Sequence, residues 1–482
     1  MFKHIKSRYK EGKFSHRVAV LTGGTVLGQA LVVLSSPILT RLYSPEDFGL
    51  LAVYSATIGM VSVVASLQYE LAIPLPADDK RALNLLGLSF GIVILLSTLS
   101  TAFYLFFGDL FIGWFKVPKL KPFLWLIPLS LFFVGAYQAL NFWAIRKKAF
   151  TTIAKTKLTQ SIGQTATQVG FGLIYSGPLG LLLGQLLGQA TGIGLLAKLL
   201  KQNNDYKSEL ANFSGAMRVA KEYRRFPIYA SLSSVLSNMS THVPIFFLSY
   251  YFGSGVTGLY ALGIRVLHLP GSLVGRSISQ VFFSAAADSN LSGTVDSVTD
   301  NVFRNLFTLG LPFFVLLGIV APELFSFIFG PSWKTAGIFV QILMPWIFLD
   351  FIITPLSMLI SVLQRQATEL QFQIIYPALM IASLSFGGML ENPKLSIFLF
   401  SVSGSVFFLG KILWILSISG NSIYYSLIFI LKELIAIFPL AAPLIIIKLL
   451  TTSDLLVLVG GLLAFIIVSA KMYYRFRAIT AT

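Results

Sequence analysis

Runs of 18 to 25 mainly apolar residues follow one another along almost the whole chain, separated by short polar turns such as the one around Ser44, Pro45, Glu46 and Asp47. Each run can cross ~30 Å of hydrocarbon as a helix rising 1.5 Å per residue. Hydrocarbon leaves no water to satisfy backbone polar groups, so spans of this length must be helices. Composition agrees: 55% of residues are hydrophobic and 11% charged, against ~25% charged in soluble domains. The expected fold is an all-α polytopic membrane protein of about fourteen transmembrane helices. Among them the second covers roughly 48 to 74, the fifth 153 to 175, the seventh 227 to 251, the eighth 258 to 284 and the last 454 to 472.

A net charge of +17 would suggest nucleic acid in a soluble protein. Here membrane topology explains most of it, and no nucleic-acid partner is expected. An even number of spans puts both termini on one side. That side's loops hold about 25 Lys and Arg, notably in "RKKAF" at 146–150, between Lys198 and Arg225, and in the tail with Lys471, Arg475 and Arg477; the opposite loops hold about seven, so the termini are read as cytoplasmic. Lys3, Lys6, Arg8, Lys10, Lys13 and Arg17 precede an apolar span too long for a signal-peptide core, which reads as an uncleaved signal anchor. The absence of cysteine excludes disulfides, thiolate catalysis and cysteine-bound metals.

The longest internal polar stretch, "KQNNDYKSELANFSGAMRVAKEYRRFP" from 201, separates six spans from the rest. Its segment from Ser208 to Arg225 reads either as a basic amphipathic helix on an anionic leaflet or as a solvated loop. The expected organisation is a six-helix lobe at 1–200, a cytoplasmic linker at 201–226, a second six-helix lobe at 227–417, and two additional helices with a basic tail at 418–482. "LTRLYSPEDFGLLAVY" from Leu39 aligns without gaps onto "LSYYFGSGVTGLYALG" from Leu248, matching Gly49 with Gly258. "LIPL" at 126 and "LMPW" at 343 open the fourth and tenth spans at nearly the same offset. Two units of like orientation imply a pseudo-twofold axis along the membrane normal and a site between the halves.

A charge at mid-span costs ~2.5 to 3.5 kcal/mol, so polar stripes carry the functional information. In the eighth span Arg265, His268, Ser272, Arg276 and Gln280 share one face of a helix, the two arginines about 16 Å apart by helical rise. Gln29 lies on a threonine-rich face of the first span; Lys157, Gln160, Gln164 and Gln168 align in the fifth; Ser234, Asn238 and His242 align in the seventh. Any one uncharged stripe can simply join helices. Several stripes with intramembrane arginines read better as a shared aqueous cavity. A guanidinium stays charged and binds phosphate oxygens in pairs, so the cavity suits an anionic, hydroxyl-rich cargo. Asp350 either binds a coupling proton or cation or neutralises an arginine such as Arg265. Glu70 is either interfacial or a counter-charge gating the inner entrance. Lys411 reads as interfacial or locally paired. No metal-ligand spacing, phosphate loop or extramembrane catalytic domain is present in the sequence, so no catalytic or metal residue and no cofactor is assigned.

"GGTVLGQALVVLSSPILTRLYSPEDFGLLAVYS" from Gly23, "LQYELAIPLP" from Leu67, "GLYALGIRVLHLPGSLVG" at 258–275, "LFSFIFGPSW" at 324–333 and "PWIFLDFIITPLSMLISVLQRQ" at 345–366 resemble bacterial polysaccharide transporters. These are the O-antigen and capsule flippases of the multidrug/oligosaccharidyl-lipid/polysaccharide exporter superfamily. The resemblance implies two lobes in a V-shaped bundle in the bacterial cytoplasmic (inner) membrane. It further implies transfer of undecaprenyl-pyrophosphate-linked oligosaccharide to the outer leaflet by alternating access, with a glycan polymerase or other assembly proteins as partners. Arg265 and Arg276 would then meet the pyrophosphate, and Arg41 at the outer tip would help release it. His242 stands where relatives often carry an acid, which separates this chain from a shared cation site there. The alternatives are a lipid-linked peptidoglycan-precursor flippase, a cation-coupled multidrug exporter of the same superfamily and, from a different class, a membrane glycan polymerase.

Overall fold

The computed structural model describes residues 22–200, 206–210, 212–270, 276–451 and 453–480. The basic amino-terminal segment from Lys3 to Arg17 and position Ser272 lie outside these residues. The described residues contain helices and no strand. Ten helices among them are long and apolar enough to cross a membrane. The helices divide into two compact units, 1–258 and 259–482.

The first unit contains α1 (Thr22–Leu42), α2 (Pro45–Ser62), α3 (Asp79–Phe115), α4 (Leu126–Arg146), α5 (Phe150–Ile174), α6 (Leu179–Ala197), α7 (Phe213–Glu222) and the first part of α8 (Ser231–Pro270). The turn between α1 and α2 is closed by a capping box: the Ser44 hydroxyl accepts from Asp47 N–H, and the Asp47 carboxylate accepts from Ser44 N–H at 3.0 Å. Pro45 at the first helical position completes this start signal. Tyr43 anchors the turn to α5, its hydroxyl donating to Gln168 O at 2.6 Å. Burial, then the Asp47 charge, pushes that hydroxyl up to about 12, so it remains a donor at neutral pH. At the opposite end of α3, Asp79 accepts from Arg146 at 2.8 Å and Lys147 at 2.5 Å, tying α3 to α4. Trp143 and Leu83 are fully buried in the core between these two helices and α6.

The pairing of α5 with α6 follows from small residues at four-residue spacing. A Cβ on Gly184 would stand 2.3 Å from the Gln168 side chain, on Gly188 2.9 Å from that of Gln164, and on Gly192 2.9 Å from that of Gln160. Each glutamine of α5 thus sits over a glycine of α6, where no larger residue fits.

The segment from Ser231 to Gly258 packs within the first unit: His242 lies against Gly59, and Ser249 donates to Phe115 O. Helix α8 is interrupted at Gly253, whose φ of 79° and ψ of −175° break the helical run. Just beyond lies a reciprocal contact. A Cβ on Gly49 would be 1.8 Å from Ser254 O, and one on Gly258 1.8 Å from Pro45 O. The gap-free alignment pairs Pro45 with Ser254 as well as Gly49 with Gly258, so the matched positions exchange partners as a local twofold requires.

The second unit contains the end of α8, α9 (Arg276–Ser292), α10 (Val295–Phe329), α11 (Lys334–Leu356), α12 (Gln366–Met389), α13 (Pro393–Ile418), α14 (Ile423–Leu450) and α15 (Asp454–Thr480). Phe307 and Phe314 of α10 meet Phe348 of α11 at centroid distances of 5.1 and 5.5 Å. Gly404 of α13 makes room for Trp346, and Gly387 of α12 for Ser396. Helices α14 and α15 pack on α10 through Leu316, Val320, Leu444 and Val457. Lys448 to Glu323 at 3.0 Å and Lys334 to Asp454 at 3.0 Å fix that arrangement.

Four expected spans account for the difference between fourteen and ten. The second ends as a helix at Ser62 and continues through Leu67 and Gln68, both in left-handed conformation, to a 3-10 turn at Tyr69–Ala72. The fifth is helical, but its lysines and glutamines make it less apolar than a membrane span by that measure. The seventh and eighth are counted together as Ser237–His268, a run that joins two helical stretches across the break at Gly253. The last offers only the shorter apolar stretch Asp454–Ile467.

Candidate functional site

Two polar clusters, one in each unit, lie within these apolar surroundings. In the first, the α5 stripe faces α6. Gln160 donates to Gln189 at 3.4 Å, Gln164 to Gln185 at 3.0 Å, and Gln168 to Leu181 O at 3.2 Å. The glutamines thus join two helices, and Gln168 is buried. Lys157, one turn before Gln160, places its ammonium 4.7 Å from the Tyr137 ring. The side-chain oxygens of Gln138 and Asn141 on α4 and of Gln168 on α5 are buried without a protein partner among the described residues. Such acceptors call for a water or a ligand hydroxyl. Gln138 and Asn141 escaped the sequence reading, although "YQALNFW" places two amides three residues apart on one face of an apolar helix.

The other first-unit candidates are spread out. Gln29 is exposed on α1. Arg41 is exposed at the α1 tip, its guanidinium 3.5 Å from Pro37 O. Asn238 donates back to Ser234 O at 2.9 Å. Glu70 is 4% exposed and accepts from the Ser66 hydroxyl.

In the second unit Arg265 and His268 are three residues apart on α8 and share a face. Arg265 is half-buried and forms no ion pair among the described residues. A guanidinium cannot shed its charge, so it is arranged to meet an anion or water. Arg276 begins α9, and its side chain lies outside the described ones. Asp350 of α11 forms no ion pair among the described residues. Lys411 contacts Glu369 at 2.7 Å and lies 5.3 Å from the Phe372 ring. Tyr376 stacks on Phe407 and Phe408.

The family model described as "Polysaccharide biosynthesis protein" matches residues 38–337, well over half of the chain. The chain belongs to that family. Within this polysaccharide biosynthesis protein the match takes in the glutamine stripe and Arg265, and stops before Asp350, Glu369 and Lys411. The lipopolysaccharide biosynthesis protein WzxC of Escherichia coli (strain K12) is 24% identical over 171 residues, 35% of this chain; the match spans only 34% of WzxC. Among solved structures the fold is similar to the lipid II flippase MurJ in an inward closed conformation, with a TM-score of 0.73 at 16% identity over 95% of this chain and 99% of that one. It is also similar to an inward-facing multidrug resistance MATE family transporter of the MOP superfamily, with a TM-score of 0.68 at 15% identity over 81% and 95% of the two chains. At these identities the likeness is one of fold. The family and the ten apolar helices make this a multi-pass membrane protein of polysaccharide biosynthesis type.

Proposed function

We propose that the protein is a flippase that moves a polyprenyl-pyrophosphate-linked oligosaccharide from the cytoplasmic to the outer leaflet of the bacterial inner membrane by alternating access, with both termini cytoplasmic. The observation that carries the reading is Arg265: a half-buried guanidinium within a membrane-crossing helix, beside His268 and without an ion pair among the described residues. A pyrophosphate supplies the missing charge, and the Gln138, Asn141 and Gln168 oxygens supply acceptors for sugar hydroxyls. Arg276 is assigned to the same headgroup by its place in the α8–α9 stripe, and Arg41 to release. Asp350 with Lys411 and Glu369 is the candidate for coupling to a proton or cation gradient. A glycan polymerase or another assembly protein would take up the product.

The test is surface glycan measured alongside membrane-inserted protein. Arg265→Ala should reduce delivery at least about tenfold, the scale of one lost charge-assisted contact. Arg265→Lys should retain part of it, because the charge survives without the fork. Normal delivery by well-inserted Arg265→Ala protein would overturn the mechanism. A lipid-linked peptidoglycan precursor is the second cargo to try, because the fold likeness includes MurJ.

A further inference from the structure

Lys157 stands seven residues into α5, and its ammonium lies 4.7 Å from the centre of the Tyr137 ring. Tyr137 is near the middle of α4, eleven residues after Leu126 and nine before Arg146, so its place is about 14 Å along the helix from the nearer end. A lysine in a membrane helix ordinarily extends its ammonium toward the headgroups. This one is held against a ring at mid-span of a crossing helix. The ring is itself fixed. Thr156 donates to Ile153 O at 2.7 Å and so accepts from the Tyr137 hydroxyl at 2.9 Å. A Cβ on Gly192 of α6 would stand 2.9 Å from the ring edge and 2.9 Å from the Gln160 amide nitrogen, so one glycine backs both the ring and the first rung of the glutamine ladder. That rung is the loose one: Gln160 meets Gln189 at 3.4 Å, near the limit of a hydrogen bond, whereas Gln164 meets Gln185 at 3.0 Å. Lys157 is half-buried and forms no ion pair among the described residues. The face of a ring offsets part of its charge and leaves its three donors to be satisfied.

We propose that the first unit holds a glycosyl phosphate site: Lys157, positioned by Tyr137, takes an oxygen of the phosphate ester, and the Gln160 and Gln189 amides take hydroxyls of the sugar bonded to it. Lys157 and Gln160 are three residues apart on one face of α5, so a charge and a pair of amides stand side by side. A phosphate joined directly to a sugar presents an anion and hydroxyls at that same close spacing. An ordinary phospholipid headgroup offers the phosphate without the sugar ring, and inorganic pyrophosphate offers the anion alone; the amides favour the glycosyl ester over both. An ammonium is a point charge on a flexible stem, suited to one phosphate oxygen that arrives and leaves, where a guanidinium fork would grip two. That the ester belongs to a carried lipid rests on the flippase reading above; its glycosyl phosphate chemistry does not.

The experiment titrates the full chain in neutral detergent with four probes: inorganic pyrophosphate, phosphatidylglycerol, farnesyl pyrophosphate, and farnesyl pyrophosphate linked to N-acetylglucosamine. Wild-type protein should bind the sugar-linked ester at least about fivefold more tightly than farnesyl pyrophosphate. Lys157→Gln should weaken both about tenfold, and Lys157→Arg should keep most of the affinity. Gln189→Leu should weaken the sugar-linked ester alone. Tyr137→Leu frees the ammonium and should cost about fivefold, whereas Tyr137→Phe keeps the ring and should stay near wild type. A second measurement needs no variant: acylation of Lys157 by an amine reagent, read by peptide mass spectrometry, should slow at least about threefold with the sugar-linked ester present. Wild-type affinity in folded Lys157→Gln, an unchanged acylation rate, or equal protection by phosphatidylglycerol would overturn the site. The two proposals fail separately. If Arg265→Ala weakens binding in the same titration and Lys157→Gln does not, this site falls and the flippase reading stands. If Lys157→Gln weakens binding while Arg265→Ala delivers surface glycan normally, the site stands and the flippase mechanism falls.

Discussion

Lys411 of α13 and Glu369 of α12 form an ion pair at 2.7 Å in surroundings where each charge alone would be costly. The Lys411 and Glu369 side chains are 10% and 26% exposed, so solvent screens their pairing little. Removing one member should therefore cost more than removing both. Lys411→Ala is expected to lower stability by about 3 kcal/mol, and Lys411→Met combined with Glu369→Leu by much less. Thermal unfolding of the purified variants checks this; equal losses would show the pair to be solvated. Sequence could not assign this partnership. Lys411 lies 42 residues from Glu369 in the chain, and only the packing of the two helices brings them together.

At the scale of elements, the pairing of α5 and α6 depends on glycines in a fixed phase. Gly184→Leu would drive a side chain into Gln168 and the backbone of Gln164, whereas a Cβ on Gly194 of the same helix meets nothing within 4 Å. Gly184→Leu should destabilise by about 2 kcal/mol, while Gly194→Ala should be nearly neutral. Detergent melting temperatures of the two variants should separate accordingly, and similar values would mean that α5 and α6 can part without loss. The glutamine stripe was visible in the sequence as a stripe. Its destination was not, because a period of four residues says which residues share a face and not what that face meets. Element boundaries were legible where punctuation is chemical, as at Ser44 and Pro45. They were not legible where it is conformational, as at Leu67 and Gln68, whose side chains give no hint of positive φ.

For the whole molecule, the charge asymmetry predicts an orientation that can be tested directly because the chain has no cysteine. Single cysteines at Lys121 and Ser332, both exposed, should react with an impermeant thiol reagent from outside the cell. Cysteines at Lys147 and Ser214 should react only after permeabilisation, and the reverse pattern would overturn the orientation. Ser254 serves this purpose poorly because its backbone is pressed against Gly49. Membrane class and helical architecture were legible because apolar runs of span length have few other uses.

The seats that the α6 glycines provide for the α5 glutamines also act as detents. Successive seats are four residues, about 6 Å, apart, and between them every glutamine would ride onto a leucine or another bulky neighbour at once. The two helices cannot creep past each other by an ångström or two under load; they hold or they jump. The α5–α6 pair is thus a stiff piece of the first unit, in contrast to α8 with its interrupted turn at Gly253.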